Sequence, residues 1–330
     1  MRVAVLGAGA VGSRAVRQLA STPGVDGIAV ADVDRLRAAA VEAAIDDDRV
    51  RAVEVDRWAD GADVGILCIP GGAHAPLAAT LLAQGTHVVS ASDELVDVDG
   101  LLALDDAAVR SGRSVVIGAG FSPGLTCLLA AHGAATLDVV EEIHVAKLGT
   151  AGPACARAHH RALTGESLDW RDGEWRHRRS GSGRELCWFP DPVGAQDCYR
   201  ASAPDARLLV PAFAGVRRVT ARVQATRRDR LTSRLPMLRR PHPEGSVGAV
   251  RVELRGRRGS LHEVVVLGAM DRPGVASGAV AAMAAVWAGE GRLRRPGAGG
   301  LAALADPLPM LLELGRRGVR AAVFEGRQPA

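Results

Sequence analysis

Apolar and polar positions alternate in blocks along the first third of the chain. Residues 1–12 open with a short apolar strand, Val50–Val55 and Thr86–Ser90 read the same way, and Val64–Ile69 is an uninterrupted apolar run ending at Pro70-Gly71-Gly72. Continuous runs of this length suit strands buried on both faces of a parallel sheet. Between them lie helical patterns: Asp34–Ala44, Ala75–Ala83 closed by Gly85, and Val98–Arg110 closed by Gly112, ahead of a sixth strand at Ser114–Ile117. Such a succession predicts an α/β domain with a doubly wound, mostly parallel sheet and ligand at the carboxyl ends of the strands. A site is therefore expected at the turns after Leu6, Val30, Ile69, Ser90 and Ile117.

After Gly118 the pattern changes. Ala119–Gly124 is a loop, and Ser122 with Pro123 reads as the N-cap and first residue of a helix to Ala135. Glu142–Leu148 reads as a strand and Ala154–Leu163 as a helix. Trp170–Trp175 carries a hairpin signal on Asp172-Gly173. Val219–Thr226 and Val250–Leu254 alternate, and Val264–Leu267 pairs with the latter through Gly256–Gly259. These segments predict a second α+β domain with a mixed or antiparallel sheet. A helix from about Pro273 to Gly289, a Pro/Gly stretch at Pro296–Gly300, a helix at Leu308–Arg317 and a strand at Val319–Phe324 follow. The expected division is a first domain at residues 1–122, a second at 123–270, and a C-terminal segment at 271–330.

Composition narrows the picture. Among 330 residues, 41 basic side chains face 37 acidic ones, so the net charge of +4 does not argue for nucleic acid. The arginine-rich stretch Arg217–Arg240 lacks the aromatic residues that stack bases, and a solvated strand face is its default reading. Cys68, Cys127, Cys155, Cys187 and Cys198 form no Cys-x-x-Cys pair. Buried thiols in a reducing compartment fit better than a zinc site or a disulfide framework. The longest apolar helix candidate, Val275–Ala288, falls short of the ~20 residues a bilayer requires, and no signal stretch precedes the first strand. The expectation is a cytoplasmic protein with a small-molecule substrate and no membrane, nucleic-acid or metal partner, dimeric through its second sheet.

The clearest candidate chemistry lies in the first turn. Gly7, Ala8, Gly9, Ala10, Val11 and Gly12 spell G-x-G-x-x-G between strand and helix. The first glycine allows a tight turn, the second lets backbone approach a pyrophosphate, and the third lets helix pack on strand. Free N–H groups and the helix dipole then face the anion. Asp32, about 20 residues past the last glycine, ends the next strand where a ribose hydroxyl partner belongs. Its carboxylate repels a 2′-phosphate, which favours NAD over NADP, while Arg35 and Arg37 stand close enough to soften that preference.

Thr86–Ser92, the helix after it, and Val115–Ala130 (VVIGAGFSPGLTCLLA) resemble the saccharopine dehydrogenase-like family across about the first 135 residues. The resemblance implies a Rossmann domain, an inserted catalytic α+β domain, a returning C-terminal segment, and NAD(P)-linked oxidoreduction, often at a carbon–nitrogen bond of an amino acid. Ile69–His74 also resembles the loop after the fourth strand of glucose–fructose oxidoreductase-like enzymes. Two positions depart from these patterns: Ala119 stands where relatives are acidic, and Ala91-Ser92-Asp93-Glu94 stands in place of the sugar enzymes' Glu-Lys-Pro. A sugar or polyol dehydrogenase and a non-catalytic dinucleotide-binding sensor remain the alternatives.

Hydride transfer needs the nicotinamide held against the substrate carbon and a proton donor or acceptor nearby. Ile69, Pro70, His74, Ala91 and Ser92 are placed to line the nicotinamide end, with a hydrogen-bonded loop histidine as the plainer reading of His74. Asp93, just past the fifth strand, is a candidate to polarise a substrate nitrogen or hydroxyl, against the plainer role of a helix-start carboxylate. Lys147, the only lysine, is a candidate general acid with a lowered pKa if buried, or a strand residue with its amine in solvent. Phe121, Ser122, Pro123 and Gly124 are expected to shape the substrate pocket. Arg157 and His160 share a helix face suited to clamping a carboxylate and moving a proton, with a solvated face as the alternative.

Overall fold

The computed structural model describes residues 1–237 and 240–323. The N-terminal part alternates β1 (Arg2–Leu6), α1 (Gly12–Ala20), β2 (Gly27–Ala31), α2 (Arg35–Ile45), β3 (Val50–Ala52), β4 (Val64–Leu67), α3 (His74–Ala83), β5 (His87–Ser90), α4 (Leu95–Leu102), α5 (Asp105–Ser111) and β6 (Ser114–Ile117). A second set follows: α6 (Leu125–Ala134), β7 (Val139–Leu148), α7 (Pro153–Ala162), β8 (Glu166–Arg171), β9 (Glu174–Arg179), β10 (Glu185–Phe189), β11 (Gly194–Arg200), α8 (Asp205–Leu209), β12 (Arg218–Gln224), α9 (Arg227–Thr232), β13 (Gly248–Arg258) and β14 (Leu261–Asp271). The chain closes with α10 (Pro273–Gly289), β15 (Gly297–Gly299), α11 (Leu301–Leu304), α12 (Pro307–Arg316) and β16 (Ala321–Val323).

The first sheet is seven-stranded, in the order β15-β6-β5-β4-β1-β2-β3, and every pair is parallel. β1, β4 and β6 are buried almost throughout, as their unbroken apolar runs require. The strand order reverses between β1 and β4, so the crevice outside their carboxyl ends is the place for ligand. The second sheet is nine-stranded and mixed. Its main path runs β10-β11-β12-β7-β13-β14-β16, and the β8–β9 hairpin attaches at β12. Parallel β7 and β12 sit at its centre. The doubly wound α/β domain and the second α+β domain expected from the sequence are both present. Among the described residues, no helix is long and apolar enough to cross a membrane.

Several elements differ from expectation. Val98–Arg110 is not one helix: α4 ends at Leu102, and Asp105 and Asp106 in the first turn of α5 start a new one. The β13–β14 hairpin turns at Gly259-Ser260, with Arg258 opposite Leu261, while Gly256 sits inside the strand at a register shift. Pro296–Gly300 is more than a loop, because β15 adds to the edge of β6. The last strand does not return to the first domain: β16 pairs with β14, and Phe324 lies outside the described residues. What does return is α10, buried at nearly every position and packed on α1, β4 and β5. Gly278 makes that approach possible, since a Cβ there would lie 2.5 Å from that of Arg14.

Candidate active site

The glycine turn is built as its spacing demands. Gly7 holds φ +102°, and an added Cβ would lie 2.5 Å from the Cys68 carbonyl oxygen. A Cβ on Gly12 would lie 1.7 Å from the Gly7 oxygen. At Gly9 it would meet nothing within 4 Å, so this glycine leaves open the space that a pyrophosphate needs. Asp32 is buried, and its carboxylate accepts from the Ala8 amide at 2.7 Å and the Asp34 amide at 2.9 Å. It therefore locks the turn to the end of β2 and keeps lone pairs for a ribose hydroxyl. The residues present fit a dinucleotide. Arg35 pairs with Glu54, and Arg37 with Asp34 at 3.2 Å, so both guanidiniums beside the ribose position are already engaged. Val33 and Leu36 are largely exposed beside Asp32 and offer an apolar surface there.

At the ends of β4 and β5, Ile69 and Ala91 are half-buried and Pro70 is exposed, as a crevice lining requires. His74 and Ser92 are not free to line it. His74 is fully buried, with Nε2 3.1 Å from the Ile69 oxygen and Nδ1 2.9 Å from Ser90 Oγ. Burial depresses its pKa, more than the Asp97 charge restores it. The Ser92 hydroxyl donates to Asp97 at 2.7 Å, and Asp97 also accepts the Gly72 and His74 amides. Buried Asp97 thus needs these donors for itself, and His74 and Ser92 brace the loops from behind.

Lys147 on β7 reaches under this edge. Its Nζ donates to Asp93 Oδ2 at 3.2 Å and to the Ser122 carbonyl at 3.1 Å. Burial works against its charge, but Asp93 and Asp205 outweigh burial and hold the amine above the usual lysine value. The expected lowered pKa is therefore reversed. Lys147 is a standing cation, because two carboxylates share its surroundings. Asp205, at the start of α8, accepts from Ser122 Oγ at 2.9 Å and Thr126 Oγ1 at 2.7 Å. Burial pushes its carboxyl up, against the pull of Lys147 and these hydroxyls. Asp93, Glu94, Lys147, His159, Arg161 and Ser202 line a cleft of about 340 Å³ between the domains.

Residues 2–109 match a family model described as the semialdehyde dehydrogenase NAD-binding domain. The whole fold is similar to that of apo saccharopine dehydrogenase (L-Glu forming) from Saccharomyces cerevisiae, with TM-score 0.69, 15% identity, and 98% of this chain and 100% of that one covered. It is also similar to a probable dehydrogenase from Thermotoga maritima, with TM-score 0.50, 12% identity and 98% of each chain covered. By fold the chain is a two-domain Rossmann-type α/β protein, and its first third matches an NAD-binding domain.

Asp93 and Lys147 come together as a pair, while the residues expected to bind substrate fall elsewhere. Phe121, Ser122, Pro123 and Gly124 are all buried. Ser277 Oγ takes the Phe121 amide and Asp205 takes the Ser122 hydroxyl, so the loop meets Lys147 through the Ser122 carbonyl. Ser122 is not a helix cap either: α6 starts at Leu125 behind Gly124. Arg157 is exposed and is not among the cleft residues; Arg161 is, but Glu94 holds it at 2.9 Å. His160 turns away to the Thr232 and Leu235 carbonyls at 3.1 and 3.0 Å. Its neighbour His159 faces the cleft. That choice was open to a helical reading, since His159 shares a stripe with buried Ala156 and Leu163 at i−3 and i+4. Asp205 carried no such signal, standing 83 residues from Ser122 in sequence.

Proposed function

We propose that the protein is an NAD(P)-dependent dehydrogenase that moves a hydride to or from a small polar substrate, an amino acid, an imine or a hydroxy acid, with NAD preferred over NADP. The observation that carries this reading is Lys147, its side chain only 12% exposed, held by Asp93 and the Ser122 carbonyl at the wall of the interdomain cleft. Bound nicotinamide supplies or takes the hydride. Gly7–Gly12 and Asp32 would hold the dinucleotide, and Ile69, Pro70 and Ala91 would border its reactive end. Lys147 orients the carbonyl or imine and stabilises negative charge that develops on its oxygen or nitrogen as hydride arrives. Its high pKa makes it a better electrostatic partner than proton donor at neutral pH, so the proton that completes the reduced oxygen or nitrogen comes from water in the open cleft and returns to it in the oxidative direction. Asp93 fixes the ammonium, and the buried surroundings strengthen its field.

The test is NADH oxidation with a panel of 2-keto acids, alone and with ammonia or amino acids to form imines. Lys147→Met is expected to lower kcat by about 10²–10³-fold, as for loss of one preorganised donor, with NADH binding kept. Parental turnover in that variant removes Lys147 from the chemistry. Absence of turnover across the panel, with NADH still bound, favours a dinucleotide-binding sensor.

A further inference from the structure

One residue lining the cleft, His159, carries a buried polar atom that the proposed mechanism does not use. His159 Nε2 lies 3.2 Å from the Gln224 carbonyl oxygen. A carbonyl only accepts, so Nε2 carries the hydrogen and, in the neutral ring, Nδ1 presents a lone pair. That Nδ1 is buried and has no hydrogen-bond partner among the described residues. Burial first, and the Lys147 cation second, hold the ring neutral with its pKa down at about 4, while Gln224, Asp93 and Asp229 pull weakly the other way. His159 and Lys147 line the same cleft. The ammonium has three hydrogens, and Asp93 and Ser122 take two of them. The residues lining the cleft therefore include one spare donor and one spare acceptor.

We infer that His159 is a specificity-determining residue that selects substrates bringing an O–H or N–H to the reacting carbon; this rests on the dehydrogenase reading above. A hydroxyl or amine can accept from Lys147 and donate to His159 at once. A methyl ether or tertiary amine can only accept, and leaves the buried lone pair unpaired. Sites built to bond a substrate O–H or N–H reject analogues lacking it far more strongly than apolar pockets reject a changed methylene. His159 needs no protonation change in this role. It is a fixed acceptor, distinct from the proton carrier expected at His160.

The test uses full-length protein labelled with [15N]histidine and saturated with NAD. The His159 signal is assigned by its loss in His159→Phe. The expected spectrum shows protonated Nε2 and bare Nδ1 from pH 5.5 to 8. Lactate, malate and alanine are then titrated against 2-methoxypropanoate, 2-methoxysuccinate and N,N-dimethylalanine. At least one donor-bearing compound is expected to move the Nδ1 signal and to bind at least tenfold more tightly than its methylated partner. That gap should vanish in His159→Phe and return in part in His159→Gln, whose amide oxygen accepts, with NAD affinity within twofold in both. A protonated Nδ1, a gap that survives in His159→Phe, or no shift of Nδ1 with any compound overturns the inference. Both readouts are binding, so absent turnover, which counts against the proposed function, is scored separately.

Discussion

An added Cβ at Gly9 meets open space, while at Gly12 it strikes the Gly7 carbonyl. The two glycines therefore answer different questions. Gly9→Asp should fold with an unchanged melting temperature and lose nucleotide, because its side chain and charge enter the space left for the pyrophosphate. A loss of at least tenfold, about 1.4 kcal/mol, is expected by fluorescence titration with NADH. Undiminished binding by folded Gly9→Asp protein would remove the dinucleotide site from this turn. The same titration decides cofactor choice. Asp32 opposes a 2′-phosphate, and the nearby arginines are already paired with Glu54 and Asp34, so NAD should bind more tightly than NADP. The reverse order would mean that Arg35 or Arg37 leaves its partner for the phosphate.

At the scale of elements, the turn between β6 and α6 connects the cofactor edge to the second domain. Gly124 closes it with φ +121°, and a Cβ there would lie 2.3 Å from the Gly120 oxygen and 2.4 Å from its nitrogen. The backbone cannot relax without moving Ser122, which Asp205 holds through its hydroxyl and Lys147 through its carbonyl. Gly124→Ala is therefore expected to cost at least roughly 1–3 kcal/mol, the usual range for such backbone strain. It should also weaken catalysis, because the loop that shifts carries the carbonyl holding Lys147. Urea unfolding with parallel activity measurements checks both. A variant as stable and active as the parent would show that the loop accommodates a side chain without loss. The Asp172-Gly173 turn between β8 and β9 is different in kind: both residues take positive φ, and an Asp-Gly pair supplies that locally.

At the scale of the whole molecule, the second sheet ends at β10, where Leu186 and Trp188 are more than half exposed while Cys187 and Phe189 face the interior. The expected homodimer would cover such a face. Sedimentation should show a dimer for the parent and a monomer for Trp188→Asp, and a monomeric parent would refute this arrangement. What the sequence alone determined is what short-range patterns encode. The strand–helix alternation, the G-x-G-x-x-G turn and the Asp-Gly hairpin depend on residues within one element of each other, and all three stand in the structure. The saccharopine dehydrogenase-like resemblance, carried by Thr86–Ser92 and Val115–Ala130, agrees with the fold. Only the tertiary structure decided which polar groups meet. Asp205 captures Ser122 across 83 residues, β15 returns to the edge of β6, and β16 leaves for β14. The Lys147 amine is raised rather than lowered because two carboxylates from distant segments converge on it. Burial and charge are sums over neighbours, and neighbours distant in the chain are chosen by the packing of whole faces, which no local spacing records.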